Sequence, residues 1–131
     1  MIDYEIHVFD KAYRAAAHLC ADGKFVGIQV VNPTAYPAAA LVEVSNTTVR
    51  ERQSSTPVEN FSRIMYQLDC YALDKFACKG VFKAVDDAMI SMGFTRTVGT
   101  FLDNAGNPDV FRYTARYEAE IDPEGNIYRI G

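Results

Sequence analysis

The segment from residue 110 to residue 121, VFRYTARYEAEI, constrains the fold of this chain more than any other. Apolar and polar side chains alternate through it with a period of two, which is typical of a β-strand with one buried and one solvated face. The apolar face carries Phe111, Tyr113, Ala115, Tyr117, Ala119 and Ile121. The polar face carries Arg112, Thr114, Arg116, Glu118 and Glu120. Such a strand needs an apolar layer on one side only.

A second alternating segment, residues 61–72, predicts a similar strand. Its apolar face carries Ile64, Tyr66, Leu68 and Cys70, and its polar face carries Arg63, Met65, Gln67 and Asp69. Shorter apolar runs predict four further strands, at residues 25–31, 38–46, 94–102 and 127–130. Clusters of turn-forming residues at 103–108 and 122–126 separate the strands that follow Gly93. Because these connections are short, we expect the last strands to form an antiparallel meander.

Two segments have the periodicity of amphipathic helices, residues 2–21 and residues 74–92. The first has an apolar stripe at Ile2, Ile6, Phe9, Tyr13, Ala16, Ala17 and Cys20. The second has one at Phe76, Ala77, Val81, Ala84, Val85, Ala88, Met89 and Met92, and Gly93 is placed to end it. Gly80 lies inside the second helix, where glycine costs about 1 kcal/mol relative to alanine. Close packing of this helix on the sheet is one reason to expect a glycine there.

These elements predict a single α+β domain over residues 1–131, with both helices packed on one face of a mainly antiparallel sheet. The residues expected in its core include Phe76, Val81, Val85, Phe111, Tyr113 and Tyr117. The opposite sheet face has no predicted helix to cover it. We therefore expect that face to meet solvent or another subunit.

Composition narrows the class of protein. The chain has 131 residues, a net charge of -4 and a pI near 5.1, which argues against a broad basic face that binds nucleic-acid phosphates. The longest apolar run, residues 38–42, is far shorter than the ~20 residues of a membrane helix. The N-terminus does not resemble a signal peptide. Three cysteines without tight spacing favour reduced thiols in a cytosolic protein.

A search for catalytic or metal-binding patterns indicates a protein that is not an enzyme and needs no cofactor. The sequence contains no glycine-rich phosphate loop and no nucleophile elbow. His7 and His18 are about 16 Å apart along a helix, too far to share a metal ion within one subunit. We therefore expect both histidines to be solvated.

The remaining candidates for chemistry have simpler interpretations. Asp86 and Asp87 point about 100° apart on their helix, so they cannot converge on one atom, and we expect a solvated face. Cys70 and Cys78 lack the paired spacings of a zinc site, and a buried structural role is expected for Cys70.

The segment 46–59 is polar and longer than most loops, and we expect it to be mobile in the free chain. It carries Arg50, Glu51 and Arg52. One interpretation is a long hairpin tip, with residues 47–52 extending a strand; the other is a contact for an assembly partner. The polar sheet face raises a similar choice. Its three arginines, Arg63, Arg112 and Arg116, either form an anion site or pair with carboxylates on neighbouring strands, and the interleaved acidic residues favour pairing.

The second half of the chain resembles the small tail-terminator, or tail-to-head joining, proteins of long-tailed bacteriophages and their prophage remnants. The resemblance covers roughly residues 36–121 and follows a strand, helix and strand with the motifs RIMYQLDCYA, LDKFACKGVFKAVDDAMISMGF and VFRYTARYEAEID. The matching positions are Arg63, Tyr66, Gln67, Asp69, Tyr71, Gly93, Phe94, Arg112, Tyr113, Arg116 and Tyr117.

The resemblance implies a non-enzymatic virion protein that is assembled in the cytoplasm of a bacterial host. It implies a homohexameric ring that caps the tail tube and joins it to the head connector, with DNA passing through the lumen without specific binding. The candidate contacts to a neighbouring subunit or to the tail tube are Arg50, Glu51, Arg52, Arg63, Arg112 and Arg116. The alternatives are another head–tail connector or neck protein, and a small α+β ligand-binding or enzymatic domain.

Overall fold

A computed structural model of the chain describes residues 3–28, 33, 35–48, 61–102 and 109–129. Within these residues the order is helix α1 (Glu5–Ala16), a 3-10 turn (Ala17–Leu19) and strands β1 (Phe25–Val26), β2 (Ala38–Thr48) and β3 (Ser62–Ala72). Helix α2 (Lys75–Met92) follows, and then strands β4 (Thr95–Leu102), β5 (Phe111–Ile121) and β6 (Ile127–Tyr128).

The described strands form one six-stranded sheet in the order β1-β2-β3-β5-β4, and β6 also pairs with β5. Only the short β1–β2 pair is parallel. The two longest alternating strands, β3 and β5, lie side by side, with Ser62 opposite Ile121 and Ala72 opposite Phe111. The predicted α+β class, the mainly antiparallel sheet and the meander after Gly93 are therefore confirmed.

The main core lies between the sheet and the two helices. From the sheet it takes the predicted apolar faces of β3 and β5, including Tyr66, Leu68, Ala115 and Tyr117. From the helices it takes Val8, Ala12, Ala16, Cys78, Val81, Val85 and Met89. Val81, Val85 and Tyr117 are buried as predicted, and Tyr113 is half-buried.

Local chemistry sets the ends of α2. The Asp74 side chain accepts a hydrogen bond from the backbone N–H of Phe76 at 3.0 Å and so caps the first turn. Gly93 ends the helix with a φ of 108°, in the left-handed region that favours glycine. The predicted end at Gly93 is thus confirmed.

Several predicted boundaries need correction. The segment predicted as a strand at 25–31 is a strand only at Phe25–Val26 within the described part of the chain. Strand β2 continues to Thr48, so residues 46–48 belong to a strand and not to the predicted loop. The rest of that loop, 49–59, lies outside the described residues. The first helix ends at Ala16 and continues only as a 3-10 turn.

Two expected core residues are exposed. Phe76 is 80% exposed and Phe111 is 42% exposed. Phe76 lies in the first turn of α2 and Phe111 is the first residue of β5, so both are at the ends of their elements. The prediction of burial at these two positions was wrong.

The predicted apolar stripe of the first helix is confirmed only in part: Ala16 is buried as predicted, and Phe9, Ala17 and Cys20 are half-buried against the core. The helix buries Val8, Ala12 and Ala16, whereas Ile6 is 76% exposed and Tyr13 is 44% exposed. Small residues at the contact allow α1 to approach its neighbours closely, and this geometry rotates the larger side chains of the predicted stripe outward.

Candidate interaction surfaces

The sheet face remote from the helices carries a chain of polar contacts across β3 and β5. Arg112 donates two hydrogen bonds to Oδ1 of Asp69, from Nε at 3.2 Å and from Nη2 at 3.0 Å. Gln67 donates to Oδ2 of the same carboxylate at 3.0 Å, and Arg116 donates to Oε1 of Gln67 at 3.1 Å. We call these four residues the polar ladder.

Asp69 is the centre of the polar ladder. Its side chain is 5% exposed, whereas that of Arg112 is 26% exposed. A carboxylate at this depth is costly unless it is paired, and it accepts hydrogen bonds from two different side chains. The guanidinium of Arg112 also lies 5.8 Å from the centre of the Tyr71 ring. Both oxygens of the Asp69 carboxylate therefore have hydrogen-bond partners within one subunit.

The three predicted arginines share this sheet face but do not form one anion site. Arg63 lies near the other end of β3, where its Nη2 is 3.4 Å from Oε2 of Glu120. Arg112 and Arg116 are four residues apart on β5, which separates their backbones by about 13 Å. Ion pairing across strands is confirmed for Arg63 and Arg112, and Arg116 pairs with an amide. Of the six predicted contact residues, Arg50, Glu51 and Arg52 lie outside the described residues.

The expectation that this face would be uncovered is wrong at one end. Tyr71, the next outward-facing residue of β3 after Asp69, is 4% exposed. It packs with Ala38 and Val110 in a second, small apolar cluster, and Tyr36 lies against that cluster. The pattern of alternation identified Tyr71 as outward-facing, but the residues that cover it come from distant parts of the chain.

An exposed apolar corner lies where β3 ends, α2 begins, β4 ends and β5 begins. Its members are Leu73 (63% exposed), Phe76 (80%), Leu102 (41%) and Phe111 (42%). The sheet register places these chain ends together, since Ala72 is opposite Phe111 and Leu102 is opposite Arg112. The side chain of Leu102 lies on the sheet face of Arg112, and that of Phe111 lies on the face toward the helices. We call these four residues the apolar corner. Sequence reasoning missed this surface because it placed Phe76 and Phe111 in the core.

A groove lies beside α1, with a volume of about 500 Å³. Its lining residues are Asp3, Glu5, Ile6, His7, Phe9 and Gly27. The exposed side chain of Ile6 and the half-buried ring of Phe9 make much of this lining apolar.

The groove has an acidic rim. Asp3 and Glu5 lie close enough to Glu43 on β2 to raise the pKa of its carboxyl, although burial of Glu43 is the larger cause. Glu43 accepts a hydrogen bond from the hydroxyl of buried Tyr66 at 3.2 Å. The end of the molecule that holds the α1 N-terminus therefore concentrates negative charge.

Asp86 is not the solvated helix residue that the sequence predicts. Its Oδ1 accepts hydrogen bonds from the hydroxyl of buried Tyr117 at 2.8 Å and from Nη1 of Arg96 at 2.9 Å. Burial, followed by the hydrogen bond to Asp86, raises the pKa of Tyr117 well above its ordinary value. This arrangement ties α2 to β4 and β5 and gives Asp86 a structural role.

The cysteines are free in the structure, and two of them are buried, as predicted for Cys70. The Cys78 thiol donates to the backbone oxygen of Cys70 at 3.3 Å. Burial raises the pKa of both Cys78 and Cys20 to about 11, so these thiols stay protonated at neutral pH. His7 and His18 are exposed, and His7 stacks on Tyr4 with ring centres 4.4 Å apart.

Two further observations concern the described residues only. They hold no group of three or more His, Cys, Asp or Glu side chains that could bind a metal ion. None of their helices combines the length and the apolar character needed to cross a membrane. Comparisons of the chain with protein-family models and with curated protein sequences give no match.

Proposed function

We propose that this chain is a non-enzymatic structural subunit that terminates a phage or prophage tail tube and joins it to the head connector. In this proposal six copies form a ring, the DNA passes through its lumen without specific binding, and the ring is part of the virion. The sequence resemblance over residues 36–121 is the source of this proposal. It supplies the identity of the partners, namely the tail-tube and head-connector proteins.

The apolar corner is the structural observation that best supports an assembly role. Phe76 is 80% exposed, and three other large apolar side chains at neighbouring chain ends are at least 41% exposed. Exposed apolar surface of this kind, where it is contiguous, marks an interaction site. Burial of such residues against a partner contributes roughly 25 cal/mol for each Å² of apolar surface removed from water. Burial of these residues against a partner would therefore stabilise the assembled state.

The arrangement of surfaces also suits a ring. A closed ring forms when two different patches of neighbouring subunits meet head to tail. The apolar corner lies at the Ala72 end of β3, whereas Thr48, the last residue of β2, lies opposite Ser62 at the other end of β3. Eleven residues of extended strand place these ends about 35 Å apart. The molecule thus presents distinct surfaces on opposite sides.

The proposal is tested with uncapped tail tubes purified from a phage or prophage that carries this gene. We expect the purified chain to bind one end of each tube as a ring, visible by negative-stain electron microscopy. Phe76→Ser should abolish capping while leaving the denaturation midpoint unchanged. Val98→Ser removes another exposed apolar side chain, on β4 and 44% exposed, and serves as the control that should still cap.

Two results would count against the tail-terminator role. A parent chain that binds elsewhere in the neck of the particle would favour a different connector protein. A parent chain that binds no virion component, but retains a small molecule in the groove beside α1, would favour a ligand-binding domain. Replacement of Arg50 and Arg52 by alanine stays a separate prediction: it should weaken joining without changing the stability of the subunit.

A further inference from the structure

We propose that Phe76 of one subunit enters the groove beside α1 of the next copy, with Lys79 and Lys83 facing the Asp3 and Glu5 rim of that groove. This inference rests on the proposed ring, and it specifies which two surfaces of the chain meet. The occupant of the groove is therefore a second copy of this chain.

The first observation is an exposed helical glycine beside the exposed Phe76. Gly80 follows Phe76 by four residues, so both lie on the same face of α2. A Cβ atom added at Gly80 would meet no atom within 4 Å, and Gly80 is exposed. The expected explanation, close packing of α2 on its own sheet, is therefore wrong. A neighbouring molecule that approaches the helix backbone next to Phe76 accounts for the absence of a side chain.

Two lysines of α2 follow Phe76, whereas the carboxylate of Asp74 lies before it and accepts a hydrogen bond from the backbone N–H of Phe76. Lys79 and Lys83 follow it by three and seven residues, and these positions flank it on the helix surface. Both lysines are exposed. The Lys79 ammonium group lies 5.8 Å from the centre of the Phe101 ring on β4. The surface of α2 that follows Phe76 therefore carries two exposed positive charges.

The groove beside α1 has the complementary character. Its lining combines the apolar side chains of Ile6 and Phe9 with the carboxylates of Asp3 and Glu5. Gly27 also lines the groove, and a Cβ atom there would lie 3.4 Å from the Phe9 ring, an ordinary van der Waals distance. With a volume of about 500 Å³, the groove is large enough to accept a phenyl ring.

The two surfaces lie at opposite ends of the helical layer. A Cβ atom at Gly93, the end of α2, would lie 3.2 Å from Ile127, and one at Gly125 would lie 2.9 Å from the Tyr4 ring. The C-terminus of α2 and the N-terminus of α1 are therefore at the same end. Phe76 is seventeen residues before Gly93, which places it about 25 Å away along the helix. Complementary surfaces at opposite ends pair head to tail and not symmetrically.

Cross-linking between position 5 on the groove rim and position 83 on α2 tests this contact. The substitutions leave Phe76 and the apolar lining of the groove unchanged. The test uses Glu5→Cys and Lys83→Cys, singly and together, in a Cys20→Ser background, with a short bismaleimide as the linker. In assembled samples the double variant should give a ladder of linked subunits, and mass spectrometry should identify the 5–83 link between different chains. The parent with Cys20→Ser alone should give no ladder.

The possible outcomes separate this inference from the proposed function. Capped tail tubes without a 5–83 link, or a Lys83→Cys variant that links only to itself, would overturn the groove contact and leave the tail role standing. A 5–83 ladder in a chain that caps no tube would support the contact and contradict the tail role. The absence of both the ladder and the capping would overturn both.

A charge exchange provides the second measurement. Lys79→Glu with Lys83→Glu should raise the concentration needed for assembly at least about tenfold, because like charges then meet across the interface. Every subunit of a ring built from one chain carries both surfaces. The restoring changes, Asp3→Lys and Glu5→Lys, are therefore placed in the same chain as the two Lys→Glu changes. The four-residue variant should regain assembly. If it fails while its circular dichroism spectrum and melting match the parent, the proposed pairing is wrong.

Discussion

The polar ladder and the apolar corner both lie at the surface, but they differ in how much each would contribute to the free energy of binding a partner. The ladder consists of charged and amide groups that already bind one another, from Arg116 through Gln67 and Asp69 to Arg112. The corner consists of apolar side chains in contact with water, with Phe76 80% exposed. A partner bound at the ladder would disturb hydrogen bonds that are already formed. A partner bound at the corner would remove apolar side chains from water. Charge on a sheet face is thus a poorer guide to an interface here than exposed apolar area.

Removal of the central carboxylate should have the largest effect on stability. Asp69→Ala leaves Arg112 without its anion and Gln67 without its acceptor. We expect a loss of about 2–3 kcal/mol, below the usual cost of breaking a fully buried pair because Arg112 is partly solvated. Urea denaturation of the variant and the parent measures this loss. If the stability stays within 0.5 kcal/mol (roughly the range of an ordinary surface change), the ladder does not stabilise the subunit.

A pair of substitutions on α2 compares its two faces directly. Val85 is fully buried, and Val85→Ala should cost about 1–3 kcal/mol through lost contacts and the cavity left behind. Phe76→Ala, on the exposed face, should change stability by less than about 0.5 kcal/mol. Denaturant melts of both variants at equal protein concentration give the comparison. A large loss for Phe76→Ala would mean that the corner belongs to the core of the subunit.

A smaller loss of stability is expected at Arg63, which lies at the more exposed end of the sheet face. The Arg63 side chain is 45% exposed, and its contact with Glu120 is long at 3.4 Å. Arg63→Ala should therefore cost less than about 1 kcal/mol, the range of exposed ion pairs. Thermal melts at low and high salt test this, since the difference between parent and variant should shrink as salt rises.

The smallest expected effect is an increase in the free energy of unfolding, and it concerns Glu43. The folded state raises the pKa of Glu43 above its ordinary value of 4.5, chiefly through burial. Between the unfolded and folded pKa values the folded chain holds more protons, so the contribution of Glu43 to stability falls as pH rises through that window. Glu43→Gln keeps a side-chain oxygen that can accept the hydrogen bond from Tyr66. It also removes the carboxyl group whose ionisation lowers the stability of the folded chain. At pH 7 we expect a gain below about 1 kcal/mol, and none at pH 4. Melts at the two pH values check the sign.

Sequence reasoning succeeded where the local pattern and the tertiary environment agree. The alternation in β5 identified Tyr117 and Ala119 as core residues because the strand lies centrally under the helices. It failed at Phe111, since alternation continues to the strand end whether or not a covering layer is present. The stripe of α1 was misplaced for a related reason. Large apolar residues such as Ile6 dominate a periodicity count, whereas Val8 and Ala12, which the predicted stripe left out, are fully buried.

The candidate surfaces depended on pairing that no local pattern contains. The register of β3 against β5 places Arg112 beside Asp69, forty-three residues away in sequence. The interleaved acidic residues were sufficient to predict ion pairing, but not which carboxylate each arginine would bind. The acceptor role of Asp86 was missed because Tyr117 reaches it from thirty-one residues away. An exposed glycine beside an aromatic residue, Gly80 and Phe76, was the available signal for the corner.

The central claim is that assembly uses the apolar corner and not the polar ladder. The most direct measurement is tail-tube capping per folded subunit, by electron microscopy, for Phe76→Ser and for Arg116→Ala beside the parent. Both variants should remain as stable as the parent to within about 1 kcal/mol. The account predicts that Phe76→Ser leaves the tubes uncapped and that Arg116→Ala caps them normally. Normal capping by Phe76→Ser together with failure of Arg116→Ala would contradict it.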